Sequence, residues 1–75
     1  MITGDQIRMA RAALKWGVRD LAKAAGVTPA TVTRIEGGKT GHTATLKTIQ
    51  LAFEAAGLEF LFENGVGVRI TKSGD

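Results

Sequence analysis

The side chains able to do chemistry in this 75-residue chain are few, and their spacing excludes most reactions at once. There is no cysteine, which removes thiol nucleophiles, disulfides and thiolate metal ligands. His42 is the only histidine, so neither a histidine-based triad nor a metal cluster can assemble within one chain. The carboxylates stand at unrelated positions and offer no paired acid–base spacing. Gly38-Lys39-Thr40 has the ending of a phosphate-binding loop, but position 33, where the leading glycine belongs, is Thr33. The triplet also follows a helical pattern rather than a strand. No catalytic constellation, cofactor site or metal site is expected, and the chain reads as a non-enzyme.

What remains is charge and hydrogen bonding. The net charge is +3, unevenly spread. Residues 1–50 hold eight Lys/Arg against three acids, and residues 51–75 hold two against four. A basic front two-thirds suits a polyanion, with nucleic acid the first candidate. Within it, Gly26-Val27-Thr28-Pro29-Ala30-Thr31-Val32-Thr33-Arg34-Ile35-Glu36-Gly37-Gly38 has the form of a short helix after a tight turn. Its leading positions, Pro29 and Ala30, offer no side-chain hydrogen bond. Trp16 reads as core packing rather than as a stacking platform.

The elements that must position this stretch follow from periodicity and caps. Thr3-Gly4-Asp5-Gln6 has capping-box spacing. Ile7, Ala10, Ala13, Leu14 and Gly17 then share a face, which predicts a first helix over about residues 4–16 ended by Gly17. A second helix is expected over about 18–25, with Leu21, Ala22 and Ala25 inward and Gly26 ending it. The third starts at Thr28 as N-cap with Pro29 at the first helical position and runs to Glu36. A fourth begins near Thr43 or Ala44, carries Leu46, Ile49, Leu51, Ala52 and Phe53, and stops at Gly57. The period then changes to alternation in Leu58–Glu63 and Val66–Thr71, separated by Asn64-Gly65, which predicts a β-hairpin. A two-residue turn would pair Leu61 with Val68 and Phe60 with Arg69, and a longer loop from Phe62 to Gly67 is the alternative. The fold class is therefore mainly α, one compact four-helix domain with a C-terminal β-hairpin: residues 1–57 helical, 58–75 hairpin and tail.

The second helix, the turn at Gly26-Val27-Thr28 and the third helix form a compact helix-turn-helix. Ala22 is small where the helices cross, Gly26 permits the reversal, and Val27, Val32 and Ile35 pin the unit to a core. Through Leu21-Ala22, Gly26-Val27-Thr28, Val32, Ile35-Glu36 and Gly38-Lys39, residues 3–57 resemble the phage-repressor-like (XRE-type) helix-turn-helix regulators. The resemblance implies a small helical domain that binds operator half-sites on double-stranded DNA, usually as a homodimer. Members normally have five helices, whereas this chain shows four and a hairpin.

Carried over by position, the resemblance makes Pro29, Ala30, Thr33 and Arg34 the base-reading surface. Arg34 can pair bidentately with guanine O6 and N7, Thr33 can donate or accept, and Ala30 and Pro29 can touch a thymine methyl or hold shape. Phosphate contacts would come from Thr28 at the helix mouth, from Lys39 and Thr40 beyond the helix, and from His42. Many family members open the second helix with a phosphate-binding glutamine; here Val18 stands there, so that contact is absent or passes to Arg19. Arg11 and Glu36 match a family ion pair joining the first helix to the end of the third. Arg8, Lys15, Lys23 and Lys47 read as solvated surface.

With a two-residue turn, Leu58, Phe60 and Phe62 share one hairpin face and Leu61, Val66, Val68 and Ile70 the other. One face can cover the helices, and the second is expected to form a homodimer interface. The alternative is a hairpin folded back on its own helices. The leading functional expectation is a transcriptional regulator, a repressor acting by occupancy. The rival is an antitoxin-like subunit that binds a toxin through its C-terminal strands as well as its own operator. No apolar run approaches a membrane span and the first residues lack a signal-peptide core, so a cytoplasmic protein with no membrane partner is expected.

Overall fold

The computed structural model of the protein describes residues 2–39, 41–61 and 67–70, with Leu61 and residues 67–70 described by their backbone. Four helices, α1 (Gly4–Leu14), α2 (Val18–Ala25), α3 (Pro29–Glu36) and α4 (Thr43–Ala55), precede two strands, β1 (Leu58–Leu61) and β2 (Gly67–Ile70). The expected mainly helical fold with a C-terminal hairpin ladder is present.

Caps set the helix starts. The Thr3 hydroxyl accepts from the Gln6 N–H at 3.2 Å and the Gln6 side chain accepts from the Thr3 N–H at 3.0 Å, closing the box that opens α1. Gln6 is itself fully buried, the one polar side chain in the core among the described residues. The end of α1 differs from expectation. Lys15, not Gly17, takes the left-handed position, at φ 59°. Gly17 is extended (φ −78°, ψ 173°) and begins α2, where its N–H donates to Asp20 Oδ2 at 2.7 Å. A glycine between two closely spaced helices can serve either, and the carboxylate three residues on decides for the second.

One core runs through all four helices and the first strand. Ile7, Ala10, Leu21, Val32, Ile35, Ile49 and Phe53 fill it, and Leu58 and Phe60 extend it into the ladder. Phe53 stacks on Trp16 with ring centroids 5.7 Å apart and meets Phe60 edge-on at 5.8 Å. Leu51, also in α4, faces solvent at 52% exposure.

The ladder is antiparallel, with Leu58 opposite Ile70, Glu59 opposite Arg69, Phe60 opposite Val68 and Leu61 opposite Gly67. The pairing is one residue away from that of a two-residue turn, which would have set Phe60 against Arg69. A slip of one residue exchanges the two sets of a strand. Positions 58, 60, 68 and 70 therefore fall in one set, and 59, 61, 67 and 69 in the other. The expected grouping of Leu61 with Val68 and Ile70 on one face does not hold, and Val66 lies outside the described residues. Leu58 and Phe60 are buried against the helices, with β1 beside α4 and β2 beside α1. The ladder is thus folded back on its own helices. Its other set holds Glu59 opposite Arg69 instead of a row of apolar residues, which removes the original reason for expecting that face to be covered.

Candidate nucleic-acid interface

The turn between α2 and α3 needs one residue at positive φ, and Gly26, at φ 70°, supplies it without Cβ strain. The Val27 N–H then returns to the Ala22 carbonyl at 3.0 Å. Thr28 caps α3: its hydroxyl accepts from the Thr31 N–H at 3.1 Å and shares a hydrogen bond with the Thr31 hydroxyl at 2.8 Å. Pro29 occupies the first helical position and has no N–H. Of the early backbone donors, Ala30 N–H is the one the helix mouth can present to an anion.

Val32 and Ile35 are buried, fixing which side of α3 looks inward. Pro29, Ala30, Thr33 and Arg34 are exposed together. At 3.6 residues per turn they span about 140° of the helix circumference, opposite the buried pair. The Arg34 carbonyl accepts from the Lys39 N–H at 3.2 Å, while its guanidinium has no hydrogen-bonding or ionic partner among the described residues. Lys39 and His42 are exposed in the segment joining α3 to α4, where His42 is the N-cap of α4 without a side-chain cap bond. Thr40 lies outside the described residues. Arg19 is exposed in the first turn of α2, on a different element from the α3 face.

The far end of α3 is held by α1. Arg11 Nε donates to Glu36 Oε2 at 2.6 Å and Nη2 to Oε1 at 2.8 Å, a fork-to-fork pair, while Nη1 donates to the Trp16 carbonyl at 3.1 Å. The hydrogen bonds that Arg11 donates to Glu36 raise the Arg11 pKa above its ordinary value, burial opposes this, and the carboxylate charge adds to the rise. Stability gained from a raised arginine pKa is in place below arginine's ordinary value and is lost only as pH rises through the raised one. The arginine half of this clamp therefore does not titrate in the neutral range.

Two further residues of this joint were not recognised in the sequence. Arg8 pairs with Asp5 and donates to the Glu36 carbonyl, capping the C-terminal end of α3 with a cation where the helix dipole favours one. Gly4 lets the helices approach: a Cβ there would stand 2.6 Å from the Ile35 carbonyl oxygen and 3.1 Å from the Glu36 Cα. The signal was present as a stripe, since positions 4, 8 and 11 lie on one helical face. Gly4→Ala is expected to cost about 1–3 kcal/mol through overpacking against backbone, despite alanine's better helix propensity. Urea unfolding checks this, and an unchanged or raised midpoint would contradict the close approach.

Among the described residues no helix is long and apolar enough to cross a membrane. A model of the helix-turn-helix domain family matches residues 3–58, spanning α1 to the start of β1. No curated protein matches the chain significantly. The match takes in the capped turn, the outward face of α3 and the clamp at its end. With these in place and three-quarters of its length covered, the chain belongs to the helix-turn-helix domain family, and DNA binding is its kind of function.

Proposed function

We propose that the protein is a sequence-specific transcriptional regulator, a repressor that acts by occupying its operator as a homodimer. The observation that carries this reading is the outer face of α3, where Pro29, Ala30, Thr33 and Arg34 are exposed together on a helix held at both ends. That face enters the major groove, and Arg34 supplies its one long hydrogen-bonding reader. Ala30 N–H and Thr28 at the helix mouth, Arg19 on α2 and Lys39 and His42 beyond the far end of α3, with Thr40 assigned by sequence position alone, hold the sugar–phosphate backbone and set register without reading sequence. The two-stranded ladder is the element assigned to dimerisation, because a sheet of two strands has two edges and strand edges favour pairing with another chain. Two copies then address half-sites about 34 Å apart.

Selection of bound duplexes from a random pool at two salt concentrations tests the reading. A paired half-site with a spacing near one helical turn is the expected result, whereas a steep salt dependence with no sequence preference would contradict it. Arg34→Ala is expected to lose about 1–3 kcal/mol of discrimination at one base pair per half-site. The fold should be unaffected, because that side chain is solvent-exposed. An unchanged sequence preference in this variant would remove Arg34 from the reading surface.

A further inference from the structure

The leading turn of α3 has little hydrogen-bonding capacity left for a base. Pro29 brings no N–H, and the Thr28 hydroxyl is committed to the Thr31 N–H and hydroxyl. What this end exposes is mostly apolar: the Pro29 ring, the Ala30 methyl and, one turn on, Thr33, which carries a γ-methyl beside its hydroxyl. Arg34 stands one turn after Ala30 on the same line of the helix. Side chains on a helix lean toward its N-terminus, so the Arg34 stem runs back over the turn that holds Ala30. A guanidinium and a methyl so placed meet the same base step or neighbouring ones, since successive bases on a strand are about 3.4 Å apart.

We infer that the outer face of α3 recognises a C5-methylated pyrimidine next to a guanine: thymine in ordinary DNA, 5-methylcytosine in methylated DNA. The inference rests on α3 being the reading helix and names what that helix reads. The guanidinium takes guanine O6 and N7, while the apolar surface takes the neighbouring C5-methyl. An apolar surface cannot distinguish the exocyclic oxygen of thymine from the amino group of cytosine, because it bonds to neither. The preference at that position is therefore set by the methyl alone, with thymine equal to 5-methylcytosine and both above uracil and cytosine. Cytosine methylation would then act as a switch on operator affinity.

The test takes the duplex selected by the full chain and resynthesises it, at each thymine beside a guanine, with uracil opposite adenine or with cytosine or 5-methylcytosine opposite guanine. At one such position per half-site, uracil and cytosine should each weaken binding about fourfold, the worth of one buried methyl-sized group, while 5-methylcytosine keeps it. Ala30→Ser, with an unchanged melting curve, should bring the thymine-to-uracil ratio close to one. Selected sequences that tolerate uracil at every such position would overturn the methyl reading and leave sequence-specific binding intact. Retention of the full ratio in Ala30→Ser would overturn it equally. Absence of any sequence preference would overturn both this inference and the function it rests on.

Discussion

Glu36→Ala should destabilise the domain by about 2–4 kcal/mol and weaken specific DNA binding even where the fold persists. The Glu36 side chain is 9% exposed and that of Arg11 20%, so removing the carboxylate strands a largely desolvated guanidinium with the Trp16 carbonyl as its remaining partner. Breaking a fully buried pair costs about 3–5 kcal/mol, and the residual exposure of Arg11 lowers that figure somewhat. The cost comes from the orphaned charge more than from lost attraction. Replacing both residues by methionine should accordingly recover much of the loss. A double-mutant cycle in urea measures this, and simple additivity of the two single costs would mean that the pair is not coupled. Binding supplies the functional readout. Arg8 still caps the Glu36 carbonyl in the variant, so α3 remains attached at its end but loses the contact that fixes its rotation against α1. Affinity for the selected duplex should fall more than affinity for unrelated DNA, because phosphate contacts tolerate a small rotation and base contacts do not.

The legible parts of this fold were those decided within a few residues. Thr28 and Pro29 announce the start of α3 through local capping and a fixed φ, and Gly26 announces the turn before it. Those few residues also determine which side chains of α3 face outward, since Val32 and Ile35 claim the opposite side. Decisions made across the chain were harder to read. The Asn64-Gly65 signal favours a two-residue turn, but the observed register gathers the apolar positions 58, 60, 68 and 70 into one set. Burial of Leu58 and Phe60 against the helices is a tertiary demand that a turn propensity of local origin does not contain. The same holds for Arg8, whose partner carbonyl lies 28 residues away. Charge and exposure alone gave no reason to prefer a helix end over solvent there. Gly4 was hidden for a related reason: only the position of α3 explains why a helix should begin with a residue of poor propensity.

Phe53→Ala should have the largest effect of any single substitution on the helical body, about 3–5 kcal/mol. Phe53 is fully buried and lies between Trp16, after α1, and Phe60, in β1, so it ties the helices to the ladder. Its removal leaves a cavity and deletes two aromatic contacts, each worth about 0.5–1.5 kcal/mol beyond area burial. A domain of this length has a total stability on the order of 4–11 kcal/mol, so the variant sits near its unfolding midpoint at moderate temperature. The melting temperature should fall by roughly 15 °C or more. Trp16 provides the probe, because its fluorescence reports the stacking partner that is lost. Leu51→Ala, on the solvent side of the same helix, is the control and should stay within about 0.5 kcal/mol of the parent. If Phe53→Ala melted with the control, β1 could not be a structural part of the helix-turn-helix domain. The ladder would then be an appendage, free to serve dimerisation alone. A large loss is what a residue shared by the helices and the ladder predicts, so oligomeric state is best probed in the full chain, by a substitution at the ladder's edge rather than by truncation.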